Sequence, residues 1–179
     1  MYKTTEIAHI LIKEHVQKDS LVVDATCGNG NDTLFLASLV PNGKVLAYDI
    51  QLDAINASKA LTKDYNNIEF FHTSFENIDV ANCSCVVFNL GYLPNGEKTI
   101  KTTKDVTLKT IKKLVDSFDQ NPHMIIYIIA YPGHLEGLEE SIALDSYVKE
   151  LDSKLYLSTT FKPANQKNAP YLITISKKR

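Results

Sequence analysis

Apolar and polar positions alternate along the chain with two different periods, and each change of period marks a new element. Residues 5–16 set Ile7, Ile10 and Leu11 at helical spacing after Thr4 and Thr5, which can cap a helix start, so an opening helix is predicted. Leu21-Val22-Val23 is a short unbroken apolar run closed by Asp24, as expected of a buried strand. A glycine-bearing loop follows, then a helical stretch to about Leu39, which Pro41-Asn42-Gly43 stops. The alternation continues as strand 44–49, helix 52–64, strand 68–72, strand 84–90, helix 105–119, strand 124–130, helix 135–151, strand 155–161 and strand 171–176. Helices between most of the strands demand crossovers, and these predict a seven-stranded, mostly parallel sheet covered on both faces. The last two strands, separated only by Lys162 to Pro170, predict an antiparallel C-terminal hairpin at the sheet's end. The expected fold class is therefore a doubly wound α/β sheet, on which ligands bind outside the carboxyl ends of the strands.

Composition narrows the picture. A chain of 179 residues that is 44% apolar and 22% charged can bury a full core, and one domain over 1–179 is expected. The longest apolar stretch, Met124 to Ala130, is far short of the roughly 20 residues a spanning helix needs. Met1 to Glu6 lacks the parts of a secretory signal, so a cytoplasmic location without membrane contact is the simplest expectation. Cys83-Ser84-Cys85 has the wrong spacing for a redox or zinc pair, and His9, His15, His72, His123 and His134 form no ligand cluster. Reduced thiols and no bound metal are expected. The net charge of −2 hides an uneven distribution: residues 97–113 carry +4, residues 154–179 carry +6, and the remainder carries −12. Two such segments suit a phosphate-facing surface if they meet, and are solvated faces if they do not. Arg179 is the only arginine, which leaves almost no scope for bidentate reading of guanine.

Candidate chemistry concentrates after the first and fourth strands. In the loop Asp24-Ala25-Thr26-Cys27-Gly28-Asn29-Gly30-Asn31-Asp32-Thr33, Gly28 and Gly30 permit a tight turn and close ligand approach. Asp49 closes the second strand 21 residues after Gly28, where an acid can accept from a ribose hydroxyl pair. An adenosine-bearing cofactor suits both features. The dinucleotide fingerprint would need glycine where Thr33 stands, and an acid ending the first strand suits a cationic ligand such as S-adenosylmethionine better than a pyrophosphate. A purely structural glycine turn is the alternative. The fourth strand runs into Asn89-Leu90-Gly91-Tyr92-Leu93-Pro94, which places an amide, free carbonyls and an aromatic ring beside that loop; a turn with a packing Tyr92 is the plainer reading.

Together these strings resemble class I S-adenosylmethionine-dependent methyltransferases. With Tyr131-Pro132-Gly133-His134, Asn165-Gln166 and Ala169-Pro170-Tyr171, the chain resembles, over nearly its whole length, the bacterial rRNA methylase family, which includes tRNA wobble-uridine methyltransferases. The resemblance implies a Rossmann-like sheet and S-adenosylmethionine held by Asp24, Thr26, Gly28, Asn29, Gly30, Asn31, Asp32, Thr33, Asp49, Gln51, Ser74 and Asn89. It further implies methyl transfer to the aminomethyl nitrogen of 5-aminomethyl-2-thiouridine, the tRNA anticodon region as partner, and a homodimer as a permitted assembly. In this scheme the Asn89 side-chain and Leu90 main-chain carbonyls hold the amine, and Tyr92 stacks on the base. Lys98, Lys101, Asn165 and Gln166 contact RNA, and His134 is either a general base or a structural residue at a helix start. Asn95, Glu97, Ala169 and Asn121-Pro122 depart from the family pattern and bear on substrate choice rather than on methyl transfer. The alternatives are methylation of rRNA or of a small-molecule amine, and a non-catalytic nucleotide-binding or dehydrogenase-like domain. Thr33 and the Asn89 to Tyr92 string speak against the last.

Overall fold

A computed structural model describes residues 3–78, 80–91 and 104–178. Its elements follow the alternation: α1 (Thr4–His15), β1 (Leu21–Asp24), α2 (Asn31–Leu39), β2 (Lys44–Asp49), α3 (Leu52–Leu61), β3 (Ile68–His72), β4 (Cys83–Asn89), α4 (Lys104–Asp116), β5 (Ile125–Ala130), α5 (Leu135–Glu150), β6 (Tyr156–Phe161) and β7 (Tyr171–Lys177). Short 3₁₀ turns at Phe75–Asn77 and Ser117–Asp119 complete the described elements. The strands form one sheet in the order β3-β2-β1-β4-β5-β7-β6, parallel from β3 to β5 and antiparallel on both sides of β7.

The unbroken apolar strands are explained by cover on both faces. Along β4, Cys85 and Val87 point to one side, into a core with Val22, Val45, Ile129 and Leu172 beneath Ala8 and Ile12 of α1 and Leu36 of α2. Val86 and Phe88 point to the other, against Ile126, Ile128 and Ile173 beneath Ile111 and Leu114 of α4 and Leu144 of α5. Helices on opposite faces follow the adjacent strands β1 and β4, which makes the cleft between their carboxyl ends the switch point of the sheet.

Two helices end three residues earlier than their patterns suggest. The backbone leaves the helical angles at Thr62 (φ −101°, ψ 17°), which closes α3 at Leu61, while the last turn of the 105–119 pattern tightens into the 3₁₀ turn at Ser117. Gly43, which turns the chain into β2, is fixed by close approach: a Cβ on it would lie 2.0 Å from the Ser20 carbonyl oxygen. Gly43→Ala must therefore separate the starts of β1 and β2, with an expected loss of about 1–3 kcal/mol of stability, read as a lowered midpoint in urea unfolding.

Candidate functional site

The loop after β1 is organised by its first residue. Asp24 is fully buried; one of its oxygens accepts from the Thr26 amide at 3.2 Å and the other from the Thr33 hydroxyl at 2.6 Å, so one carboxylate ties both ends of the loop. Between them Gly28 (φ +48°) and Gly30 (φ +87°) take left-handed backbone angles that favour glycine. The second acid sits opposite. Asp49 accepts from the Gly28 amide at 3.0 Å and from the Gln51 amide at 2.9 Å, which fixes the loop to the end of β2. A carboxylate has about four lone-pair positions, so both oxygens keep capacity for further donors.

Burial, with Asp32 and Asp49 nearby, raises the Asp24 pKa to about 7 against the bonds from Thr33 and Thr26. Cys27, also in the loop, is pushed far above the ordinary thiol range by burial and then by Asp24 and Asp49, and is not a nucleophile here. Asn29 and Asn31 are exposed on the turn into α2, Gln51 leads into α3, and the Ser74 hydroxyl accepts from the Glu76 amide beyond β3.

At the end of β4 the main chain of Asn89 donates to the Thr26 hydroxyl at 2.7 Å, and its side-chain Nδ2 donates to Asp32 at 2.8 Å. The other oxygen of Asp32 lies 2.7 Å from His9 Nε2, and the His9 ring lies flat on Phe35, with ring centres 3.8 Å apart. Burial, then Asp32, raises the phenol pKa of Tyr131, just beyond β5, while the neighbouring Asn89 side chain opposes the shift. With Nδ2 committed to Asp32, the Asn89 carbonyl oxygen still has a lone pair for an incoming N–H. The Leu90 amide donates to the Ile129 carbonyl at 3.0 Å and continues the ladder one residue past the strand.

The remaining candidates are more scattered. His134 caps α5, its Nδ1 accepting from the Gly137 amide at 2.9 Å. Asn165 and Gln166 are exposed in the β6–β7 connection, on the same sheet edge as the Asp24 loop. Tyr92, Lys98 and Lys101 lie outside the described residues. Several of the described lysines are already engaged: Lys104 with Glu139, Lys109 with Glu76, and Lys177 with Asp119. Among the described residues no helix is long and apolar enough to cross a membrane, and no group of three His, Cys, Asp or Glu side chains could hold a metal ion.

His9 is a partner that the spacing of the sequence does not single out, and Tyr131 enters the sequence reading only within the string Tyr131-Pro132-Gly133-His134, with no role of its own. His9 interrupts the apolar stripe of α1, but its acidic partner stands 23 residues away and is brought to it only by packing. As a donor set, three carboxylates around a glycine-lined turn, with backbone drawn close by Gly28 and Gly30, fit a cation-bearing adenosine cofactor.

The family model described as "Putative rRNA methylase" matches residues 45–177. A chloroplastic tRNA (mnm5s2U34)-methyltransferase of Arabidopsis thaliana is 34% identical over 193 aligned residues, covering 98% of this chain and 70% of that protein. Among solved structures, a "putative rRNA-methylase" of Clostridium thermocellum superposes with a TM-score of 0.88 at 34% identity, covering 99% of this chain and 98% of that one. A "putative methyltransferase" of Streptococcus mutans in complex with SAH gives 0.84 at 28% identity, with 99% of both chains covered.

Proposed function

Since the chain belongs to the rRNA methylase family and is an S-adenosylmethionine-dependent methyltransferase, we propose that its acceptor is the aminomethyl nitrogen of 5-aminomethyl-2-thiouridine at the tRNA wobble position. The observation that carries this reading is 34% identity, along 98% of the chain, to a relative named for that tRNA position. The end of β4 supports it, because an amide carbonyl and a main-chain carbonyl there suit an amine with N–H bonds to donate.

When bound, S-adenosylmethionine supplies an electrophilic methyl group on a sulfonium. The chain's own work is alignment and the exclusion of water. Asp24 and Asp32 bring negative charge to the cofactor's cationic end, and Asp49 offers its spare lone pairs to the ribose hydroxyls. Gly28 and Gly30 let the backbone approach, and Thr26, Asn29, Asn31, Thr33, Gln51 and Ser74 complete the cradle. The carbonyls of Asn89 and Leu90 accept from the amine and aim its lone pair, while a desolvated site beside a sulfonium keeps that amine neutral. Stacking on the base is proposed for Tyr92, and contact with the anticodon backbone for Lys98, Lys101, Asn165 and Gln166. His134 is assigned to the start of α5, since its Nδ1 is committed to the cap. A homodimer and a cytoplasmic location belong to the same proposal.

The test incubates the purified chain with labelled S-adenosylmethionine and tRNA bearing the unmethylated nucleoside, followed by nucleoside mass spectrometry. One added methyl on 5-aminomethyl-2-thiouridine is expected. Label entering rRNA or free amines while tRNA stays unchanged would sink the proposal. Asp49→Ala is expected to weaken S-adenosylmethionine binding by roughly 1.5–3 kcal/mol in calorimetry, as for a hydrogen bond to a charged group. An unchanged affinity would remove Asp49 from the cradle.

A further inference from the structure

The proposed mechanism leaves His9 without a task, yet its ring is fixed on two sides. One turn of α2 presents Asp32 and Phe35, three residues apart and so on one helix face. The His9 ring lies on Phe35 with 4° between the planes, and its Nε2 meets Asp32 at 2.7 Å, so stacking sets the plane of the ring and the carboxylate sets its direction. The second oxygen of that carboxylate takes Nδ2 of Asn89.

The nitrogen and oxygen of an amide are nearly alike in shape, and packing alone does not choose between the two flips of an asparagine. An ionised carboxylate accepts and cannot donate. It therefore draws the NH₂ group to itself and turns the carbonyl oxygen away. This selection works only while the Asp32 carboxylate is held in place with a donor on each oxygen. Asp32 is 93% buried close to the buried Asp24, so a donor on its free oxygen is needed to keep it there. His9 is that donor.

We infer that His9 is a positioning residue for methyl transfer: through Asp32 it locks the Asn89 amide in the flip that presents its carbonyl oxygen to the acceptor amine. The inference rests on the methyl-transfer reading given above, and two substitutions separate it from a merely structural role. His9→Phe keeps a ring on Phe35 and loses the nitrogen; His9→Gln loses the ring and can place an N–H where Nε2 stands.

In His9→Phe the single-turnover methylation rate is expected to fall roughly 10- to 100-fold, as for outer-shell partners of other sites, with cofactor affinity within about threefold. His9→Gln should recover most of the rate. In ¹⁵N NMR spectra of the full chain without cofactor, the Asn89 side-chain amide pair should be dispersed and slow to exchange in the wild type and in His9→Gln. In His9→Phe it should move into the solvent-exposed amide region. A His9→Phe rate equal to wild type, an equal loss in His9→Gln, or Asn89 signals indifferent to both changes would overturn the inference. The spectra do not depend on the acceptor. A wild-type chain that shows the expected Asn89 signals but leaves the thiouridine unmethylated refutes the substrate reading, whereas a chain that methylates it with Asn89 signals insensitive to His9 refutes the positioning role.

Discussion

Asn89→Ala is expected to slow the single-turnover methylation step by roughly 30- to 1000-fold, equivalent to about 2–4 kcal/mol, while cofactor affinity stays within about threefold. The split follows from where the side chain is anchored. Its Nδ2 is held by Asp32 and its backbone amide by Thr26, so the carbonyl oxygen is set by groups that belong to the protein and costs little to reorganise as the amine attacks. A contact that aims a lone pair gains strength in the transition state and contributes little to ground-state binding, which lowers the rate constant without a matching change in affinity. Rapid-quench measurement at saturating cofactor reads the rate, and calorimetry reads the affinity. A variant with the wild-type rate would leave proximity alone as the source of acceleration.

Asp24→Asn is expected to stabilise the cofactor-free protein at neutral and alkaline pH by about 1–3 kcal/mol, with the gain vanishing near pH 4. The sign follows from the direction of the shift. The folded carboxyl titrates at about 7, raised by burial and then by Asp32, while in the unfolded chain it titrates near 3.9. Between these values the folded protein binds the extra proton, so the contribution of Asp24 to stability falls as pH rises through that window and is level above it. Urea unfolding of wild type and variant from pH 4 to pH 8 measures the difference, and parallel curves would refute it. A cationic ligand opposes the same shift. Binding of S-adenosylmethionine near neutral pH should therefore expel a proton, which calorimetry in buffers of unlike ionisation enthalpy detects, and Asp24→Asn should abolish that release.

Most strand limits were legible because a strand buried on both faces must be apolar throughout, and Leu21-Val22-Val23 or Met124 to Ala130 can hardly be read otherwise. Helix ends were less so. Nothing in the periodicity of 52–64 announces that the backbone leaves the helix at Thr62. The pairing of the last two strands was also legible, but not which of them adjoins β5, since a hairpin satisfies the pattern in either order. Burial decides it: Leu172, Ile173 and Ile175 of β7 are fully buried between two neighbours, while Leu157 and Phe161 of the edge strand β6 face solvent. At the site, the loop and Asp49 are local in sequence and their spacing carries them. His9, Asp32 and Asn89 come from three separate elements, and their approach is a product of helix packing that no spacing encodes.

The place of β7 has a consequence for the order in which the chain is made. Of the seven strands, the one that lies against β5 is synthesised after all the others, and β6, translated before it, has no partner in the sheet until β7 arrives. The 47 residues that follow Ala130, through Lys177, take roughly 2–9 s to translate at ordinary elongation rates, and for that interval the nascent sheet ends in the bare, strongly apolar edge of β5. An unpaired edge of that kind is a template for another chain, so for that interval the place of β7 is open to strands of neighbouring chains.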